Sequence, residues 1–273
     1  MPFDPEAVRD FEHGRWQRAA SVYCSTFAAA TQPFIDALLD AAGVGRGVRV
    51  LDVACGPGIV TARAASRGAA ATGLDFSTAM LAVARARDRA IRFDEGDAEA
   101  LPYADAAYDA VVSNFGIHHV PRPALALAEA YRVLRPGGRV AFSFWADPTE
   151  NVGWKLLFDA IARHGDPAAA RLPPPGGGFG SAAQCTEALR QAGFAACATR
   201  LVRATWRHAD ARALVEAMQA GTARMAALIE AQPASAMPAI IADIDQRAAS
   251  YRDSAGMAVP TAAVIAFGIR RQQ

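Results

Sequence analysis

Val48-Arg-Val-Leu-Asp-Val-Ala-Cys-Gly-Pro-Gly-Ile-Val-Thr61 is the stretch whose reading decides the fold. A run of β-formers, Val48 to Val53, enters a turn carrying Gly56 and Gly58, and a helix of small residues begins near Pro57. A strand–Gly turn–helix unit brings backbone close to a ligand and aims the free N–H groups of the helix N-terminus at it. A dinucleotide fingerprint reads G-x-G-x-x-G. Gly56 and Gly58 supply its first two glycines, but Thr61 stands where the third belongs. Asp52, at the strand end just before the turn, is a poor neighbour for a pyrophosphate. It suits a ligand carrying positive charge, such as an amino group or a sulfonium.

Outward from this stretch, size and composition narrow the class. A chain of 273 residues buries one good core with room for an appended lobe. Hydrophobic residues make up 52% and charged ones 20%, a globular profile. A net charge of +1 makes no electrostatic case for nucleic acid or an anionic membrane as partner. Asp4, Glu6, Arg9 and Asp10 argue against a signal peptide, and no apolar run approaches the ~18 residues of a membrane span. Cys24, Cys55, Cys185 and Cys197 are scattered without a C-x-x-C pair. The expectation is therefore no structural disulfide, no metal site and a reducing cytoplasm.

Before the central stretch, residues 5 to 42 read as mostly helical, with Phe11, Trp16, Tyr23, Phe27, Phe34 and Leu38 at roughly helical spacing. After it, a helix from Ile59 to Arg67 stops at Gly68, and a second strand, 70 to 75, ends in Asp75, 23 positions beyond Asp52. An acid at that strand end is placed to accept bonds from both hydroxyls of a ribose. It also reads, with Ser77, as an N-cap for the helix 78 to 89, and the two roles coexist. A third strand, 91 to 94, leads to Gly96-Asp97-Ala98. A fourth, Tyr108 to Asn114, is a mostly apolar run of buried parallel type. Phe115-Gly-Ile-His-His-Val120 follows, then a helix 123 to 134 stopped by Arg135-Pro-Gly-Gly138 and a fifth strand, Arg139 to Trp145.

Asp52-x-Ala-Cys-Gly-Pro-Gly58 resembles motif I of class I S-adenosylmethionine-dependent methyltransferases. Gly96-Asp-Ala-x-x-Leu-Pro102 resembles a second segment of that family. His118-His-Val-Pro121 with Glu129-Ala-Tyr-Arg-Val-Leu-Arg-Pro-Gly-Gly138 resembles its quinone-biosynthesis and small-molecule branch. The motifs cover residues 48 to 145 in order. The resemblance implies an α/β fold: a Rossmann-like, seven-stranded, doubly wound sheet with the last strand antiparallel, a helical N-terminal lid and a helical cap insertion. One domain then spans 1–273, with the lid at 1–43, the cofactor core at 44–146, cap helices at 147–178 and 207–256, and the rest of the sheet at 179–206 and 257–271.

The implied cofactor is S-adenosyl-L-methionine and the implied product S-adenosyl-L-homocysteine. Asp52 and the amides of Ala54, Cys55, Gly56 and Gly58 are expected at the methionine end, under a lid that brings Trp16 and Tyr23. Asp75 is expected on the ribose, Phe76 and Met80 along the adenine, and Gly96, Asp97 and Ala98 at its edge. Asn114 and Phe115 complete the set. The partner expected is a small-molecule methyl acceptor with an O, N or C nucleophile. His119 and His118 follow the fourth strand, at the carboxyl edge where ligands sit in an open parallel sheet, and are candidate general bases; Asn114 is the candidate for positioning. The string Asn114-Phe-Gly-Ile117 lacks the N-P-P-Y of amino-methylating nucleic-acid enzymes.

Beyond 146 the pattern reads as helix 151 to 164, a loop at 173 to 178, helix 182 to 192, a strand 197 to 206, two amphipathic helices and a final strand 262 to 269. The first of those helices carries Leu214 to Ile229, the second Met237 to Tyr251. Trp145, Trp154, Phe179 and Met218 are expected to line an apolar acceptor pocket, although each also reads as ordinary core. Two alternatives remain at this point: a non-catalytic S-adenosylmethionine-binding protein, and a nicotinamide-dependent oxidoreductase, against which Thr61 and Asp52 count.

Overall fold

The computed structural model describes residues 3–170, 172–174 and 179–272. The part of the expected 173–178 loop at 175–178 lies outside the described residues.

The β-branched and small residues of the core alternate between two buried faces, and the strands they form are parallel. These are β1 (Arg49–Val53), β2 (Ala70–Asp75), β3 (Arg92–Glu95), β4 (Tyr108–Asn114) and β5 (Leu134–Trp145). Two long strands, β6 (Ala195–His208) and β8 (Gly256–Ile269), complete the sheet in the order β3-β2-β1-β4-β5-β8-β6. A two-residue strand β7 (Arg252–Asp253) pairs with β8 as an eighth. β8 runs antiparallel to both neighbours, as the resemblance implies. The order reverses between β1 and β4, which opens the crevice at their carboxyl ends.

Alternation along the strands sets the two layers. Val50, Ala110 and Val112 face α3 (Ile35–Ala41) and α4 (Ile59–Ser66) through Leu38, Leu39, Val60 and Ala64. Leu51, Val53, Val111 and Phe142 face α6 (Pro123–Val133) and α8 (Ala182–Gln191) through Leu127, Ala130, Cys185 and Leu189. α5 (Thr78–Arg87) covers β3, with Leu81 and Ala84 on Phe93.

β8 outruns β5. Its pairing with β5 ends at Trp145↔Ala263, whereas its pairing with β6 continues to His208↔Met257. The overhang carries Trp206, Met257 and Val259 into a second core shared with α7 (Val152–His164), α9 (Ala211–Gly221), α10 (Arg224–Glu230) and α11 (Met237–Arg247). The cap, whose helices α9 to α11 lie between β6 and β8 in the chain, is therefore fastened to the sheet by the overhang of that antiparallel pair.

The N-terminal segment, expected to be mostly helical over 5 to 42, is helical in several short pieces. α1 (Pro5–Ala19) is followed by the 3-10 turns Tyr23–Ser25 and Gln32–Phe34 around the short α2 (Ala28–Thr31), and then by α3. The hydroxyls of Ser25 and Thr26 both donate to the carbonyl of Val22, which competes with helix continuation, and Pro33 restarts the chain. α1 and the turns after it line the crevice through Arg9, Trp16, Tyr23, Phe27 and Thr31, and α3 touches it at Ile35 while its Leu38 and Leu39 enter the core.

The helix expected across Leu214 to Ile229 is also interrupted. Thr222 is extended (φ −128°, ψ 164°), and its hydroxyl donates to the Met218 carbonyl at 2.7 Å and accepts from Ala226 N–H at 3.1 Å. Gly221 permits the break: a Cβ there would lie 2.2 Å from Cβ of Phe27. α6 ends at Val133, just ahead of the Arg135-Pro-Gly-Gly138 stretch expected to stop it, and that stretch forms the irregular start of β5, where the register with β4 shifts.

Candidate active site

The carboxyl ends of β1, β2 and β4, with α1 and α10 above them, enclose a cavity of about 360 Å³, within the range of ordinary ligand pockets. One wall is the opening stretch of the sequence. Ala54 (φ 57°) and Phe115 (φ 58°) leave β1 and β4 in the left-handed conformation, so both chains turn sharply at the strand ends. Gly56 (φ 54°) follows, and a Cβ there would meet only Met80 Sδ at 4.0 Å, so it would project into the cavity.

Two buried carboxylates flank this turn. Asp52 is 1% exposed; Thr61 donates to its Oδ2 at 2.6 Å, and Oδ1 has no partner. Thr61, at the third glycine position of the fingerprint, thus serves as a carboxylate ligand. Burial pushes the Asp52 carboxyl up to about 7, with the Thr61 hydrogen bond opposing and the Asp75 charge adding. Asp75 accepts from the backbone N–H of Gly56 at 2.8 Å and of Ser77 at 2.8 Å. Burial raises it to about 6 against those bonds. Ser77 caps α5 through Met80 N–H, so the capping and cavity-facing readings of this corner hold in one geometry.

Of the residues singled out from sequence, Trp16, Tyr23, Asp52, Ala54, Cys55, Gly56, Asp75, Phe76, Met80, Gly96, Asp97, Ala98, Asn114, Phe115, His118, His119, Trp145 and Trp154 line this one cavity. Three do not. Gly58 (φ 77°) caps α4 facing away from it, where a Cβ would come within 2.7 Å of the Phe93 ring; this glycine serves helix packing. Phe179 packs on Phe142 at 5.3 Å, in the core under α6 and α8. Met218 is fully buried inside the cap. For both side chains, the core reading replaces the acceptor-pocket one.

The aromatic wall is continuous. Trp145 stacks on Phe115 (4.0 Å, 25°) and packs on Trp154 (4.4 Å), while Phe27 meets both tryptophans edge-on. Tyr23 bonds Thr31 Oγ1 at 3.2 Å, and burial raises its hydroxyl to about 12, so it stays protonated. Asn114 accepts from the Ser143 hydroxyl at 2.7 Å and donates to the Thr31 carbonyl, tying the end of β4 in place.

Several polar residues at the cavity or directly behind its lining escaped the sequence reading. Arg9 of α1 pairs with Asp97 and, at 3.0 Å, with Glu99. The Gln17 carbonyl oxygen accepts from Ala79 N–H at 2.8 Å and from the Ser77 hydroxyl, which docks α1 on the start of α5. Glu12, 0% exposed, meets His119 Nδ1 at 3.0 Å, Trp16 Nε1 at 3.2 Å and Arg224 Nε at 2.8 Å. Burial opposes ionisation of Glu12, but His119 and Arg224 outweigh it and hold its carboxyl below the usual range. His118 differs from its neighbour. Burial, aided by the charges of His119 and Arg224, keeps it well below the imidazole range, and its Nδ1 is buried without a partner. His118 is therefore neutral and poorly placed to hold a proton. The one signal for Glu12 was its position, four residues after Val8 and four before Trp16, on the inward stripe of α1.

Residues 51–142 match the methyltransferase domain family. Over 112 residues the chain is 45% identical to a demethylmenaquinone methyltransferase of Renibacterium salmoninarum, covering 41% of this chain and 47% of the relative. Over 102 residues it is 52% identical to the ubiquinone/menaquinone biosynthesis C-methyltransferase UbiE of Methylobacterium nodulans, covering 34% and 40%. The chain thus spans about half the length, or less, of these curated relatives. The YcgJ protein of Bacillus subtilis shares the fold, with a TM-score of 0.59 at 19% identity over 89% of this chain and all of that one. The fold is thus the Rossmann-like one of the class I S-adenosylmethionine-dependent methyltransferases, and the chain resembles their quinone-biosynthesis branch. Among the described residues no helix is long and apolar enough to cross a membrane.

The cavity's donor set fits that cofactor. The orphaned Asp52 Oδ1 is an acceptor for an ammonium, Asp75 is an acceptor for a diol, and the space over Gly56 admits a ligand that a Cβ would block.

Proposed function

We propose that this protein transfers a methyl group from S-adenosylmethionine to a small-molecule acceptor, through an O, N or C nucleophile, and releases S-adenosylhomocysteine. The observation that carries this reading is the buried, unpartnered Asp52 Oδ1 in the same cavity as the Asp75 carboxylate and an accessible imidazole, His119. When bound, the cofactor supplies a methyl carbon already activated by its sulfonium, so the protein must mainly align the reactants and exclude water.

In this reading Asp52 and the turn at Ala54 to Gly56 hold the amino-acid end, Asp75 the ribose, and Phe76, Met80, Asp97 and Ala98 the adenine. Asn114 fixes the strand end behind the reaction centre. Trp145, Trp154 and Phe27 form a flat apolar wall suited to a planar ring, and the names of the relatives make a quinol the first acceptor to try. His119 is the proton acceptor for a hydroxyl or enol-like nucleophile.

The test is a screen of phenols, amines and quinols with S-adenosylmethionine, following S-adenosylhomocysteine formation. Acceptor-dependent product formation is the expected outcome. Tight binding of S-adenosylhomocysteine without turnover across all three classes would favour a binding protein instead.

A further inference from the structure

Glu12 is a fully buried charge directly behind the cavity lining, in contact with three residues that do line it, Trp16, His119 and Arg224. Its carboxylate joins three parts of the molecule: α1 through its own backbone, the turn after β4 through His119, and the cap through Arg224. Arg224 is itself held by the Pro173 carbonyl at 2.9 Å. The charged and titratable groups around the Glu12–His119 pair are Arg224 from α10, on Glu12, and His118, beside His119 on its own turn. Trp16 covers the His119 ring edge-on at 5.0 Å.

An ionised carboxylate only accepts hydrogen bonds, so the nitrogen it meets must carry the proton. With Nδ1 on Glu12, the neutral ring leaves its lone pair on Nε2, which bonds to nothing among the described residues while the ring lines the cavity. We propose that Glu12 is the positioning residue for His119: it holds the Nδ1–H tautomer, aims Nε2 at the acceptor and stabilises the imidazolium that forms. The proposal rests on the methyltransferase reading above. In the step it serves, the acceptor's proton passes to Nε2 and the freed electron pair forms the new bond to the methyl carbon. The C–S bond pair leaves with sulfur, and the imidazolium returns its proton to water. Because Glu12 arrives with α1, the base is complete only when the N-terminal helix is docked.

Two measurements on the full chain test this. The first is the 15N spectrum of the His119 ring in the wild type at pH 8, which needs neither variant nor acceptor; protonated Nδ1 and bare Nε2 are expected, and an Nε2–H tautomer would overturn the proposal. The second compares Glu12→Gln with wild type. Removing one member of a buried charge cluster lowers stability, so turnover on the quinol acceptor is compared per folded molecule. A fall in kcat of about 100-fold, with altered pH dependence, KM nearly unchanged and S-adenosylhomocysteine affinity within about threefold, is expected. Equal kcat per folded molecule, with a lowered Tm alone, would make Glu12 a structural anchor and overturn the proposal. Failure of wild type to bind S-adenosylhomocysteine would instead bring down the underlying reading, and the tautomer would still report on Glu12 separately.

Discussion

The acidity of the cavity's two carboxylates makes ligand affinity depend on pH in a way the structure lets us work out. Asp52 sits near 7 and Asp75 near 6 because both are buried. An ammonium on Asp52 and a diol on Asp75 both favour the ionised forms, while the α-ammonium of S-adenosylhomocysteine keeps its proton from pH 5 to 8. Taking the two in turn, the doubly ionised fraction falls about 20-fold between pH 8 and pH 6, which is about 1.8 kcal/mol of binding. By pH 5 the loss reaches about 1,000-fold, or about 4 kcal/mol, and the pair titrates as a unit. Calorimetry in buffers of different ionisation enthalpy should show release of about one proton on binding near pH 6.5. Asp52→Asn should bind more weakly at pH 8 and lose the upper part of this pH dependence. An affinity flat within twofold from pH 8 to 6, with no buffer-dependent heat, would refute the assignment of Asp52 to the ligand's ammonium.

The same carboxylates act on the unliganded protein with a definite sign. The folded pKa of Asp52 is raised, so its contribution is fully present below the unfolded value of 3.8 and is lost as pH rises through about 7. Asp52→Asn should therefore stabilise the apo protein at pH 8, by about 4 kcal/mol at the upper limit set by the shift, and leave it nearly unchanged at pH 4, as urea unfolding would show. Gly58→Ala forces a left-handed backbone on a residue with a Cβ 2.7 Å from Phe93, and should cost about 2–4 kcal/mol in urea unfolding. Trp154→Ala removes one member of the aromatic wall. It should raise the acceptor KM about three- to tenfold while leaving S-adenosylhomocysteine affinity unchanged.

The region from Val48 to Trp145 was readable because its signals are local. Parallel strands buried on both faces write apolar runs, and the turns at Gly56 and Gly96 and the acids Asp52 and Asp75 stand at fixed offsets from those runs. What escaped is carried by long-range partners. Glu12 meets Arg224 across 212 positions and Arg9 meets Asp97 across 88, and neither pair leaves a trace in local periodicity. The break at Thr222 depends on a side chain bonding its own helix and on the approach of Phe27 to Gly221, so an amphipathic pattern reads straight through it. Phe179 and Met218 failed as pocket residues for the ordinary reason that large apolar side chains in a capped fold have two cores to enter. Met218 went to the cap core, Phe179 to the one beneath α6 and α8. The long reach of β8 was hidden by Pro260, which sits within the strand opposite Thr205.

The most direct test of the central claim is a calorimetric titration of the full chain with S-adenosylhomocysteine at pH 8, for wild type and Asp75→Ala. One site per chain is expected in the wild type. In the variant, affinity should fall about 10- to 150-fold, the worth of hydrogen bonds to one buried charge, with cooperative unfolding retained. A wild type that takes up no ligand, or a folded Asp75→Ala protein that binds as tightly as wild type, would contradict it.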